Sequence, residues 1–396
     1  MKKIVGSMTK TRAEFVDPDF SATVVAWQKK SGRHVLPWQN TRDAYRIWLS
    51  EIMLQQTQVT AVMPYYEKFL KSFPTMSDLA QAPSEAVMAH WSGLGYYTRA
   101  RNLHACAKLV VEKYDGQFPV APSLLEELPG IGRSTAAAIS AFAYGTNAAI
   151  LDGNVKRVFA RVFGIDGYPG SKPVEDVMWQ RAVALLPQDE IEAYTQGLMD
   201  LGATVCTRNS PQCQRCPLSH RCIALAQQRV KELPMRKPKK SLREKIALMP
   251  VIVFGNQVLL EQRPNSGIWG GLLSLPELDG MQEIQSLDAR SAPSASISTE
   301  QGSDKPSAKL VERIHAFALP FGRVQSVQAL ARVRHGFTHF HLHIVCYAVT
   351  LASRADVVAE PRYSWLAFDQ IADAALPAPV KQILRQITAA SQSNNV

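Results

Sequence analysis

The sequence predicts two domains of different class, an all-α N-terminal domain and a smaller α+β domain behind it. Three observations carry this. Apolar residues recur at helical spacing from about residue 19 to 226, a basic proline-bearing stretch follows, and β-type runs separated by turn residues begin near Ile246. A length of 396 residues exceeds what one core commonly organises, which agrees with two domains.

The helical elements follow in chain order. Tyr45, Trp48, Leu49, Ile52 and Met53 sit at the i, i+3, i+4, i+7, i+8 positions of an amphipathic helix. Ser123 reads as the N-cap of a short helix carrying Leu124 and Leu125, and an alanine-rich helix follows Gly132. Val155, Val158, Phe159, Val162 and Phe163 repeat the amphipathic pattern, with Gly164 as its C-cap. Residues 19–226 are therefore assigned to the helical domain, 227–245 to a basic linker holding Pro234 and Pro238, and 246–390 to the second domain. There, residues 246–254 and 257–262 read as strands joined by Gly255-Asn256, a two-residue hairpin signal. A second strand pair is expected over 328–333 and 340–350, and a closing helix over 380–387. Residues 286–309, rich in Ser, Ala, Asp and Gln, read as a flexible insertion without a site.

Hydrophobic residues make up 46% and charged residues 20%, a balance that argues against global disorder. No run of eighteen apolar residues is present and the N-terminus lacks an apolar signal core, so neither a membrane span nor an export signal is expected. The expected location is cytoplasmic. A formal net charge of +10 points to a polyanionic partner or to a basic surface kept soluble.

Four of the six cysteines fall in one stretch, Cys206, Cys213, Cys216 and Cys222, spaced C-x6-C-x2-C-x5-C. Clustered thiols in a cytosolic chain mean metal or redox chemistry more often than disulfides, and this spacing is open to zinc or an iron–sulfur cluster. Cys106 and Cys346 stand alone among apolar neighbours and read as buried small hydrophobes.

Two further segments can carry chemistry. Leu128-Pro129-Gly130-Ile131-Gly132 has the form of a helix-hairpin-helix, whose backbone amides approach a phosphate, or of an ordinary helix–helix turn. Asp152 precedes a helix, where it serves as N-cap and also stays favourably ionised, able to stabilise a cation on a substrate. Lys156, Arg157 and Arg161 after it pair with phosphates or are solvated. Glu51 flanks the apolar stripe of its helix; facing water it is bland, but buried it would hold a raised pKa and act as a general acid. Two carboxylates in unequal environments are the equipment for cleaving a glycosidic bond.

Together with Leu36-Pro37-Trp38, the block from Ser50 to Val59, and Gly93-Leu94-Gly95-Tyr96-Tyr97, these segments resemble the adenine DNA glycosylase (MutY) family over nearly the whole chain. The resemblance implies a helix-hairpin-helix glycosylase fold with a 4Fe-4S cluster on the four cysteines, and a C-terminal Nudix-like domain. It implies a monomeric enzyme that excises adenine opposite 8-oxoguanine or guanine in double-stranded DNA and so initiates base excision repair. Glu51 would protonate adenine N7 and Asp152 would stabilise the oxocarbenium ion. Gln56, Thr57, Tyr96, Gly130, Gly132, Lys156 and Gln196 would contact the DNA or the extruded base. Phe337-Thr338-His339 would probe 8-oxoguanine, with Thr where the family has Ser. His339, His341 and His343 alternate in sequence and are expected to face solvent or DNA rather than a metal.

Ser134 separates this resemblance from endonuclease III relatives, which carry a lysine nucleophile there; a serine forms no Schiff base, so a monofunctional glycosylase is expected, with Ser134 in support. An endonuclease III-like glycosylase/lyase on oxidised pyrimidines is the runner-up, and a non-catalytic Fe–S DNA-binding protein the alternative from another class. Gln262-Arg263-Pro264, residues 268–272 and Leu275-Pro276-Glu277 look like the Nudix scaffold, but residues 279–283 do not supply its metal-binding glutamates, so pyrophosphatase activity is not expected.

Overall fold

The computed structural model describes residues 15–237, 242–278, 307–355 and 360–393. It divides into two compact units, Met1–Gln81 with Asn102–Lys239 and Ala82–Arg101 with Lys240–Val396.

The helices up to the cysteine loop are α1 (Pro18–Ser31), α2 (Ala44–Leu54), α3 (Val59–Ser72), α4 (Met76–Gln81), α5 (Ser84–Trp91), α6 (Thr98–Tyr114), α7 (Pro122–Glu126), α8 (Arg133–Tyr144), α9 (Gly153–Val162), α10 (Lys172–Ala184) and α11 (Ile191–Asp200), with α12 (Ile223–Ala226) after it. In α2 the expected stripe is buried: Trp48, Leu49 and Met53 are 0% exposed. Burial of such side chains contributes about 1.5–3 kcal/mol each. The small buried face of α8, Ala136 to Ala138 and Ala141, lets α2 and α7 pack closely against it. α9 packs through Phe159, whose ring meets Phe20 of α1 edge-on at 6.0 Å.

Two helix ends differ from expectation, one by two residues and one by a single residue. α7 starts at Pro122 with Ala121 as N-cap, because proline's fixed φ suits the first helical position; Ser123 lies inside the helix. α9 ends on Phe163 as C-cap, and Gly164 is the next residue, at φ +61°. There the Ile165 amide reaches back to Ala160 O at 2.9 Å.

The second unit is built on a mixed seven-stranded sheet of β1 (Arg243–Phe254), β2 (Gln257–Gln262), β3 (Leu273–Ser274), β4 (Gly322–Ala329), β5 (Val333–Gly336), β6 (Phe340–Arg354) and β7 (Tyr363–Ala367). Its order is β3-β2-β1-β6-β4, with β5 also on β6 and β7 on β2. β1 and β6 pair in parallel and the other pairs are antiparallel. Helices α13 (Ala308–Ala318) and α14 (Ala378–Ser393) complete it. The β1–β2 hairpin turns at Gly255-Asn256 as expected.

The single strand expected over 328–333 is instead two. Ala329 faces Tyr347 and Val333 faces Ile344, so one residue more lies on the outer side than on β6, and the ladder breaks between β4 and β5. β1 begins at Arg243, inside the stretch read as linker, because Arg243–Lys245 pair with Phe340–Leu342. Most of the expected insertion, 286–306, lies outside the described residues, as do linker residues 238–241; its end is structured, with Ser307 Oγ accepting the Leu310 amide at 3.3 Å as the cap of α13. Residues 82–101 group by contact with the second unit, where Ser92 Oγ donates to Leu376 O at 3.0 Å and Arg101 Nη1 to Gly270 O at 2.6 Å. Cys106 and Cys346 are buried, at 0% and 1% exposure.

Candidate active site

α2 is launched by Asp43, whose carboxylate accepts the Tyr45 amide at 2.9 Å. With its apolar stripe buried, the helix turns Glu51 onto the wall of a cavity of about 820 Å³, shared with Arg33, His34, Trp38, Asn147 and Gln196. Enclosure by protein, and after it the charge of Asp152, push the Glu51 carboxyl up to about 8. No hydrogen bond from the described residues favours its ionised form.

Asp152 is the N-cap of α9, as expected. Its carboxylate accepts the Val155 amide at 2.8 Å and Asn154 Nδ2 at 3.1 Å. Burial raises its pKa, and these two donors together with the Arg157 charge hold that rise back. Asp152 is not itself on the wall of the large cavity. The pair is thus electrostatically coupled in unequal settings: burial of Glu51 is not offset by any donor, whereas hydrogen bonds and the Arg157 charge oppose the rise at Asp152.

Both acids are braced by the first turn of α8. Ser134 Oγ accepts the Leu151 amide at 3.0 Å, one residue before Asp152, and Gln55 Nε2 donates to Thr135 Oγ1 at 3.5 Å, four residues after Glu51. Before α8, Gly130 has φ +80°, and a Cβ there would meet Asn102 Cβ at 2.9 Å. Gly132 is the N-cap of α8 with open space around it and no side chain capping the amides that follow.

The other expected DNA contacts divide. Gln56 is exposed at φ +60°, and Thr57 beside it is half-buried. Tyr96 is 47% exposed, with the Arg99 guanidinium 5.5 Å from its ring. In the second unit Phe337 stacks on Phe340 at 4.5 Å and 19°, leaving Thr338 and His339 exposed. His341 and His343 lie on β6, and His343 Nε2 meets Glu244 at 2.7 Å, a carboxylate rather than open solvent.

The three basic residues of α9 are neither free nor simply solvated. Lys156 Nζ pairs with Glu175 at 2.6 Å. Arg157 donates to Cys206 O at 2.7 Å, Gly202 O at 2.6 Å and Asn154 Oδ1 at 2.8 Å. Arg161, 2% exposed, donates to Leu233 O at 2.8 Å and Thr207 O at 2.7 Å. The last two therefore brace the cysteine loop against α9. Nothing in the local sequence separates a brace from a phosphate contact, because their acceptors are distant backbone carbonyls.

Cys206, Cys213, Cys216 and Cys222 line one small apolar cavity with Val158, Leu201 and other side chains, and none is in a disulfide. Among the described residues no three His, Cys, Asp or Glu side chains close on a single-ion point. Burial pushes the Cys216 thiol up to about 11. Arg161 Nη1 lies 3.4 Å from Cys206 Sγ. Four sulfurs in an apolar pocket beside a guanidinium form a donor set that fits an anionic thiolate cluster.

Sequence reasoning missed Arg33, on the cavity wall, and Asp200, the buried carboxylate that holds it from 167 positions away in the chain. The local signal was Asp200 standing four residues after Gln196 on one helix face.

Two family models match the chain: the HhH-GPD superfamily base excision DNA repair protein over residues 49–182, and the NUDIX domain over residues 248–386. An adenine DNA glycosylase of Buchnera aphidicola (subsp. Schizaphis graminum) is 34% identical over 92% of this chain and 97% of its own. The human adenine DNA glycosylase is 31% identical over 92% of this chain and 73% of its own. A solved thermostable thymine-DNA glycosylase is similar to 53% of this chain and 96% of its own, at 30% identity and a TM-score of 0.48. Among the described residues no helix is long and apolar enough to cross a membrane.

Proposed function

The chain belongs to the adenine DNA glycosylase family, a DNA N-glycosylase with a helix-hairpin-helix domain and a Nudix-like domain, and from that premise we propose that it excises adenine mispaired with 8-oxoguanine or guanine in duplex DNA, as a monomer initiating base excision repair. The observation that carries the reading is the split acid pair: Glu51 at a cavity wall, raised to about 8 by burial and then by the charge of the hydrogen-bonded Asp152.

The adenine is first turned out of the stack, since neither carboxyl reaches a paired base. Glu51 gives its proton to adenine N7, so the C1′–N9 electron pair leaves with a neutral base. Positive charge develops over C1′ and the ring oxygen, where the Asp152 carboxylate stabilises it. Water then adds to C1′ and returns its proton to Glu51, leaving free adenine and an abasic deoxyribose. Ser134 offers no amine, so the reaction ends at hydrolysis; what supports its part is its bond to the Leu151 amide. Gln56, Thr57, Tyr96, Gly130, Gly132 and Lys156 are proposed at the DNA, Gln196 at the base, and Phe337, Thr338 and His339 at 8-oxoguanine.

Cys206, Cys213, Cys216 and Cys222 would hold a 4Fe-4S cluster. When bound, it supplies iron–thiolate bonds that cross-link the loop Arg157 and Arg161 already brace.

The test is a duplex carrying A:8-oxoguanine, incubated and then treated with alkali. Strand breakage at the adenine is expected from the protein and not from Glu51→Gln. Breakage without alkali, with efficient borohydride trapping, would reject the monofunctional reading. Product from an oxidised-pyrimidine duplex and none from A:8-oxoguanine would reject the substrate.

A further inference from the structure

We propose that Asp200 is a positioning residue for base selection: it fixes the amide of Gln196 so that the carbonyl oxygen, not the amino group, faces the cavity beside Glu51. The inference deepens the reading above and rests on it, since it takes that cavity as the one that receives the excised base.

Asp200 closes α11 and its side chain is 0% exposed. It accepts three hydrogen bonds, from Gln196 Nε2 at 2.8 Å, Arg33 Nε at 2.7 Å and the Arg33 amide at 2.8 Å. A carboxylate only accepts, so the end of the Gln196 amide that meets it has to be the NH2. The other end, Oε1, is thereby turned away, and Gln196 lines the cavity. Arg33, also on that wall, is held through Nε and its backbone, which leaves its terminal Nη groups free of other bonds among the described residues.

One buried carboxylate thus presents a fixed acceptor and a fixed donor side by side. Adenine's pairing edge carries an amino donor beside the N1 acceptor, the complement of that pair. Hypoxanthine, of nearly the same shape, carries a carbonyl acceptor beside an N1–H donor and would set carbonyl against carbonyl. A site with oriented polar groups rejects the inverted pattern strongly, because its buried groups are left unpaired. Without Asp200 the Gln196 amide turns over freely and fits either base.

Asp200→Asn tests this, because the asparagine amide can donate to Gln196 Oε1 and invert it. The charge-conserving pair Asp200→Asn with Gln196→Glu restores the arrangement, the asparagine donating to one glutamate oxygen while the other faces the base. Excision is measured from matched duplexes with adenine or hypoxanthine opposite 8-oxoguanine. In Asp200→Asn the ratio of kcat/KM for adenine over hypoxanthine is expected to shrink roughly tenfold or more. The double variant is expected to recover adenine excision to within about threefold of the unaltered protein. A partly unfolded sample lowers both rates alike and leaves the ratio unmoved, so an unmoved ratio, or a double variant no better than Asp200→Asn, overturns the proposal. If the unaltered protein releases adenine in either case, the loss is this inference's alone; if it releases none, the glycosylase reading falls with it.

Discussion

Ser134 Oγ accepts the amide proton of Leu151 at 3.0 Å, which fastens the hairpin's second helix to the residue that precedes Asp152. The next hydroxyl, on Thr135, meets Gln55 from the helix that carries Glu51. Two consecutive side chains of α8 therefore hold the segments bearing the two acids, so spacing between the acids depends on the hairpin. Ser134→Ala leaves the buried Leu151 amide without its acceptor, a loss of about 1–3 kcal/mol. The expected result is a lower Tm and a fall in single-turnover rate with KM little changed, with Ser134→Thr restoring both. An alanine variant with an unaltered rate would remove the hairpin from the acids' positioning.

The Glu51 carboxyl sits near 8 against an ordinary 4.5, which fixes the sign of two pH effects. With Glu51 as the proposed proton donor, kcat/KM is expected to fall about tenfold per unit as pH rises beyond roughly 8. Stability runs the same way. Below pH 4.5 the side chain is protonated folded or unfolded and its contribution is whole; between 4.5 and 8 only the folded protein keeps the proton, so stability declines until the loss is complete above 8. Glu51→Gln carries no such penalty. It is expected to be inactive yet to unfold at higher temperature at pH 7, by roughly 1–3 kcal/mol, with the gap closing toward pH 4.5. A gap that does not vary with pH would mean that Glu51 is ionised in the folded protein.

What could be read from the sequence was what local physics decides. The Trp48 and Phe159 stripes, the cap at Asp152 and the turn at Gly255-Asn256 each follow from neighbours a few residues apart. Arg157 and Arg161 were illegible for the opposite reason, since their acceptors lie more than forty residues away on Cys206 and Leu233. The break between β4 and β5 depends on one surplus residue against β6, which no alternation of side chains reveals.

The two hairpin glycines separate folding from DNA contact. Gly130→Ala places a methyl 2.9 Å from Asn102 Cβ at φ +80°, so it is expected to destabilise the protein by about 1–3 kcal/mol whatever it does to binding. Gly132→Ala meets nothing within 4 Å at an ordinary φ, so its Tm should be nearly unchanged. If the amides of this turn approach a phosphate, Gly132→Ala weakens duplex affinity several-fold without altering Tm. Equal affinity would assign the hairpin a structural role alone.

Arg161 is a buried cation whose partners are chiefly carbonyl oxygens of the loop that carries the cysteines. Arg161→Met keeps much of the stem's volume but strands the Thr207 and Leu233 carbonyls, a cost of about 2–5 kcal/mol. The expected variant melts lower and is purified with less than about half the iron per chain, read by metal analysis, because a loosened loop holds thiolate ligands less well. Iron content equal to that of the unaltered protein would show that the loop keeps its shape without this brace.

Lys156 gives the last test, because its charge is already spoken for. Its ammonium lies 2.6 Å from Glu175, and both side chains retain some exposure, 22% and 34%. In the proposed DNA contact a phosphate takes the place of that carboxylate at the cost of an existing ion pair, so Glu175 would compete with the DNA. Glu175→Gln removes the competitor and is expected to tighten binding to an undamaged duplex. Lys156→Ala is expected to weaken binding and to reduce the salt slope by about one released counterion. Fluorescence anisotropy across a salt series measures both. If Lys156→Ala leaves affinity and slope where they were, the lysine serves the α9–α10 pairing and does not reach the backbone of the DNA.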